Sequence, residues 1–341
     1  MIQKYKSKYE SGKMNDFQLI RITKNYGRHT DVYVDFENQI LKNTNWKAIP
    51  AANKYLQVLF NKWVLPKLKL RQFNFDLPIF HAKRFLFAVI SGTEYSKIFL
   101  RYSFKAKQKA VYMFDPWPSV NNLNENAFRS FKINIAFISA KQAVHYFNSL
   151  NIDGFMAHWI PEGVYSEGYH YCNYVDKKID VIQYGRQWGQ LHNKINSYCK
   201  KNNIIYEFPT DNDFSKSQFT TRNRLTKALA GSKITVCVPR NITHPEDVGN
   251  LSTLTTRYFE CMSSKCLIWG TAPAELIELF GYNPVIEIDI EKADEQLLYL
   301  LNNYESYIPL IEKNYQTVLH NHQWKNRIDD MMKILSSSNC V

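Results

Sequence analysis

The segment Thr255-Thr-Arg-Tyr-Phe-Glu260 sets two hydroxyls, a guanidinium and a carboxylate within two turns of a helix. Near a helix start, the Thr255 and Thr256 hydroxyls and the free backbone N–H groups can hold a phosphate. Arg257 adds a planar cation matched to a diphosphate. Glu260 follows Thr256 by one turn on the same face, where its carboxylate can accept hydrogen bonds from both hydroxyls of a ribose. The same residues also fit a capped helix with a solvated Arg257–Glu260 pair, and spacing leaves both readings open. Two further carboxylates follow apolar runs. Asp115 ends Val111-Tyr-Met-Phe-Asp115 before Pro116-Trp-Pro, and Glu94 lies in Ser91-Gly-Thr-Glu94. A strand end at either place would present a base to a reacting hydroxyl. Asp115 equally fits a turn cap before the prolines.

Such groups need elements to position them. Short apolar runs at 17–22, 85–90, 110–114, 133–138 and 155–160 predict strands in the first half. Those at 179–184, 204–208, 234–238, 266–269 and 285–288 predict strands in the second. Runs without polar alternation suit strands buried on both faces, as in parallel sheets. Between them lie amphipathic stretches: 51–64, 94–104, 123–131 and 141–150, then 187–201, 221–230, 253–264 and 274–280. This alternation predicts two doubly wound α/β domains with a cleft between them, where ligands sit at strand carboxyl ends. Residues 161–176 are rich in Gly, Tyr and Ser without apolar periodicity and read as the linker. After residue 288 the chain turns helical: 294–303, 304–320 and 324–335.

Composition excludes several classes. The start, Met1-Ile-Gln-Lys-Tyr-Lys-Ser-Lys, has no apolar core and is not a secretory signal. No apolar run approaches the ~20 residues of a spanning helix. Six cysteines at 172, 199, 237, 261, 266 and 340 include no CxxC pair, and the nine histidines no HxxxH. A reducing cytoplasm, no disulfide and no metal site are expected.

Five segments together resemble a known family. They are His158-Trp-Ile-Pro-Glu-Gly-Val164, Asp180-Val-Ile-Gln-Tyr-Gly-Arg186, Leu229-Ala-Gly-Ser-Lys-Ile-Thr-Val-Cys-Val-Pro239, the Thr255–Glu260 segment continued by Cys-Met, and Cys266-Leu-Ile-Trp-Gly270. In this order they resemble the nucleotide-sugar-binding half of GT-B glycosyltransferases. The likeness is to group-1/group-4-like bacterial enzymes of surface polysaccharide (O-antigen or capsule) assembly. The resemblance implies a GT-B fold of two Rossmann-like domains: acceptor-binding over 1–165, donor-binding over 166–320, and a C-terminal helix in 321–341 packing back on the first. It implies that Arg186 and Lys194 contact the donor diphosphate and that Glu260 holds the ribose. It implies sugar transfer from a nucleotide-sugar to a glycan or lipid-linked saccharide, with no metal and no cofactor. One departure stands out: retaining members carry a second glutamate eight residues before the ribose-binding one, and here that position is Ser252. Glu246 and Asp247 are the nearest upstream acids, and retention or inversion stays open.

The chain carries 43 Lys+Arg against 31 Asp+Glu, a net charge of +12. Residues 1–165 hold 24 basic and 11 acidic residues, and residues 166–341 hold 19 and 20. Within 62–109 there are 11 basic and two acidic residues, interleaved with aromatics. That mixture suits an anionic membrane surface, so attachment to the inner face of the plasma membrane is expected. It also suits a single-stranded nucleic acid. No RRM, KH or zinc-finger pattern is present, so no nucleic-acid partner is expected. A nucleotide-sugar-binding protein without transfer activity is the other alternative, prompted by Ser252.

Overall fold

A computed structural model describes residues 17–21, 31–51, 85–91, 106, 108–185, 187–209, 219 and 221–337. The expected helices at 51–64 and 94–104, Glu94 and Arg186 lie outside these residues, as does most of the basic stretch 62–109. The described chain forms two parallel sheets.

The first sheet contains β1 (Phe17–Arg21), β2 (Lys47–Pro50), β3 (Phe85–Ser91), β4 (Gln108–Phe114), β5 (Ile135–Ile138) and β6 (Met156–Trp159). Their order is β2-β1-β3-β4-β5-β6, with every pairing parallel. Its helices are α1 (Asp31–Asn43), α2 (Asn121–Phe131) and α3 (Lys141–Ser149). The central strand β4 is buried along nearly all its length, as an apolar run in a covered sheet must be. Neither α1 nor β2 is marked by the apolar runs of the sequence. Helix α1 buries only Phe36, Glu37 and Ile40, and β2 is an edge strand with no fully buried residue.

The second sheet holds β7 (Ile179–Ile182), β8 (Tyr206–Glu207), β9 (Ser232–Cys237), β10 (Leu267–Gly270) and β11 (Ile286–Glu287), ordered β11-β10-β9-β7-β8 and again parallel. Along the chain its strands are interleaved with α4 (Gly189–Lys201), α5 (Arg222–Ala230), the short α6 (Arg240–Thr243) and α7 (Pro245–Val248), whose Val248 packs in the core of the first sheet, then α8 (Thr256–Ser263) and α9 (Ala274–Phe280). Helices α10 (Ala293–Asn302), α11 (Ile308–Asn321) and α12 (Trp324–Ser337) complete the chain. Gly270 on β10 has no room for a side chain, since a Cβ would lie 1.7 Å from the Cys237 carbonyl oxygen.

Each sheet is packed on both faces, giving the layered doubly wound architecture. Helix α12 belongs physically to the first sheet. Its Trp324, Ile328, Met331, Met332 and Leu335 join the core formed by α1, β3 and β4. The Trp324 ring lies 4.3 Å from Phe36 and 5.8 Å from Phe114.

The chain passes between the halves at two adjacent places. The backbones of Val164 and Gln323 form a parallel bridge there, and Gly163 leaves only 3.1 Å between a Cβ and Trp324. Arg327 is buried at this crossing and donates to the carbonyls of Glu162 and Asn321 and to His322. A second contact joins the halves at the start of α3. Glu275 of α9 accepts from the Lys141 N–H at 2.6 Å and from the Leu254 N–H at 3.3 Å. Burial pushes its pKa up to about 7.

Candidate active site

A cavity of about 290 Å³ opens where the carboxyl ends of the two sheets meet. In each sheet the strand order reverses next to the first strand, and the cavity collects residues that follow those strands. From the first half come Asp31, Tyr33 and Asp35 at the start of α1, with Asp115 directly after β4. The second half contributes Tyr184 and Gly185 after β7, Arg222 at the start of α5, and Thr255, Thr256, Arg257 and Glu260 around the start of α8. Glu162 and Tyr169 enter from the segment joining the halves.

Glu260 is held by two phenols. The Tyr169 hydroxyl donates to Oε1 at 2.5 Å and the Tyr184 hydroxyl to Oε2 at 2.8 Å. Both phenols are raised well above their ordinary pKa, mainly by burial with the Glu260 charge adding to it. They stay protonated, and the carboxylate is oriented before any ligand arrives.

Arg257 and Glu260 form no ion pair among the described residues, so the solvated-pair reading fails. The Arg257 guanidinium lies over the Tyr184 ring, 5.5 Å from its centroid. It also passes so close to Gly185 that a Cβ there would sit 2.5 Å from Nη2. Gly185 has φ of +75°, a second reason for glycine. Among the described residues no hydrogen bond or ion pair engages the guanidinium, which leaves its donors to a ligand. Arg222 differs: it pairs with Asp35 at 2.6 Å across the cavity and lies 5.6 Å from the Tyr169 ring.

Asp115 has φ of 51°, a left-handed conformation that costs a side-chain-bearing residue energy and turns it into the cavity. The Tyr33 hydroxyl donates to its Oδ2 at 3.1 Å. Thr255 caps α8 in an extended conformation without a side-chain capping bond. Thr256 is already engaged: its N–H and hydroxyl both donate to Glu162 Oε2 at 2.6 Å. Burial, assisted by the Asp115 charge, pushes the Glu162 pKa up to about 8.

Five of the residues singled out from the sequence therefore share one cavity: Asp115, Thr255, Thr256, Arg257 and Glu260. Lys194 stands apart on α4, half-buried, its ammonium donating to the Glu291 carbonyl. Glu246 is exposed on α7 and Asp247 pairs with Arg240, so neither acid lines the cavity in place of Ser252.

Glu162, Tyr169, Tyr184, Tyr33, Asp35 and Arg222 escaped the sequence reading. The lack of apolar periodicity in 161–176 was the available signal, because loops on a rigid scaffold carry binding residues. Tyr33 and Asp35 sit on α1, whose weak apolar pattern hid the helix itself.

Residues 177–333 match the glycosyl transferase-like family. No curated protein shows a significant sequence match to the chain. Among solved structures, the chain is similar to HepE from Anabaena, described in complex with UDP and glucose: TM-score 0.60, 8% identity, 94% of this chain and 99% of that one. It is also similar to the N-terminal domain of trehalose-6-phosphate phosphatase from Candida albicans, with TM-score 0.59 and 8% identity over 95% and 97% of the two chains. TarM of S. aureus gives TM-score 0.50 and 13% identity, over 80% of this chain but only 57% of that one. The fold is that of the GT-B glycosyltransferases. The match to the glycosyl transferase-like family falls in its second half.

Proposed function

We propose that this protein transfers a sugar from a nucleoside-diphosphate sugar to a hydroxyl of a glycan or lipid-linked saccharide. The supporting observation is the two-sided cavity: on one wall a preoriented Glu260 and an Arg257 without an ion pair among the described residues, on the other Asp115. Glu260 takes the ribose hydroxyls. Arg257, with Thr255, takes the diphosphate, and Arg186 and Lys194 are the further candidates for contacting it. The acceptor oxygen forms the new glycosidic bond and its proton passes to Asp115. The electron pair of the broken bond stays on the diphosphate, whose growing charge a preorganised guanidinium stabilises. Glu94, following β3, is a second candidate for contacting the acceptor. The HepE and TarM structures described in complex with UDP favour UDP as the nucleotide to try first.

The setting we propose is cell-surface polysaccharide assembly at the cytoplasmic membrane face, with residues 1–165 binding the acceptor. The net positive charge of those residues supports it. With leaving-group charge met by arginine, EDTA is expected to leave turnover unchanged. The absence of a second glutamate at Ser252 favours one other reading, donor binding without transfer.

Thermal shift and calorimetry with UDP-, GDP-, CMP- and dTDP-sugars test the proposal. A ligand at 100-fold its Kd stabilises by ~2.7 kcal/mol, which a melt resolves. No shift with any of them would sink it, and release of free nucleotide from a sugar nucleotide would exclude the binding-only reading.

A further inference from the structure

Oε2 of Glu162 is saturated by the two donors of Thr256, whereas no hydrogen bond among the described residues engages Oε1. The side chain is buried, 7% exposed, yet lines the cavity. No cation among the described residues is bonded to its carboxyl group. The charged groups around it are Asp115 after β4, Arg257 and Glu260 on α8, and Arg327 of α12. Arg327 spends its donors on carbonyls and His322. Tyr112 of β4 is a further titratable neighbour, its hydroxyl donating to the Ile160 carbonyl.

An ionised carboxylate at the start of α8 would repel a diphosphate bound to Arg257. A neutral acid there would instead donate to it. We propose that Glu162 meets the diphosphate as a neutral acid, with Oε2 kept on Thr256 and Oε1–H donating to a phosphate oxygen. This rests on the donor reading above and adds a residue to it. Its pKa, pushed up to about 8 by burial and Asp115, keeps it protonated at neutral pH. A bound diphosphate pushes it further in the same direction. The proton stays on Glu162. Its hydrogen bond strengthens as charge collects on the departing diphosphate, so the residue positions the donor and favours the transition state.

Calorimetric titration with UDP, and with GDP in parallel, between pH 7 and pH 9, below the ionisation of either base, tests this on the full chain. The nucleotide's own phosphate titrates near pH ~6 and contributes little in that range. In the wild type, Kd is expected to be flat near pH 7 and to rise about tenfold per pH unit above pH ~8, one proton being taken up on binding. Glu162→Gln, whose amide also donates, should keep the neutral-pH affinity and lose the pH dependence. Glu162→Ala should bind more weakly at pH 7 and also show none. Melting curves of both variants confirm that they are folded. A pH-independent wild type, or a Gln variant retaining the wild-type slope, overturns the inference while leaving the donor reading intact. A wild type that binds neither nucleotide overturns both.

Discussion

On the donor wall proposed for Arg257 and Glu260, substitution should be felt in nucleotide binding. Hydrogen bonds to charged groups contribute about 1.5–3 kcal/mol each. Arg257→Ala and Glu260→Ala should therefore weaken UDP binding by about ten- to a hundredfold, with the urea midpoint close to wild type for Arg257→Ala and lower for Glu260→Ala, which leaves the Tyr169 and Tyr184 hydroxyls without that acceptor. Unchanged calorimetric affinity in either variant would remove that residue from the site. The phenols are testable in the same way: Tyr169→Phe with Tyr184→Phe frees both Glu260 oxygens and should weaken UDP binding while leaving phosphate-only ligands unaffected. That Thr255, Thr256, Arg257 and Glu260 share one cavity was legible in the sequence because they stand within six residues around one helix start. The tyrosines that orient Glu260 were not, since Tyr169 and Tyr184 come from 91 and 76 residues away in the chain. Only tertiary structure makes them neighbours.

Among the elements, β10 and α12 are the most sensitive to single substitutions. Gly270→Ala forces a methyl group against the Cys237 carbonyl and must separate β9 from β10. Trp324→Ala empties a space between Phe36, Tyr112 and Phe114, at an expected cost of about 3–5 kcal/mol. Urea unfolding measures both, and a loss below ~1 kcal/mol for Trp324→Ala would contradict the packing described. Every strand expected within the described residues exists, because buried parallel strands must be continuous apolar runs. Where burial is one-sided or slight, as in α1 and β2, the pattern is too thin to read. The two short helices at 240–248 were likewise hidden, each too brief to show a period of 3.6.

For the whole molecule, two buried carboxyl groups make stability depend on pH. Folded Glu162 and Glu275 have pKa values of about 8 and about 7, against 4.5 for the unperturbed group. The folded chain holds protons that the unfolded chain has released, so this stabilisation is complete below pH 4.5 and is lost as pH rises through 7 and 8. Relative to wild type, Glu162→Gln and Glu275→Gln should gain in urea midpoint between pH 5 and pH 9; a constant difference would contradict the assignment. The uneven charge has its own test. Replacing several lysines between 62 and 109 by glutamine should lower sedimentation with anionic liposomes more than it lowers UDP affinity, and unchanged sedimentation would refute membrane attachment. Helix α12 bears on how the protein is made. Its Arg327 meets Glu162 across 165 residues of chain. The first sheet therefore waits for this last helix to cover its core, whereas the helices that cover the second sheet are complete by residue 321. A chain ended after residue 320 should keep a second sheet that resists protease while its first is digested.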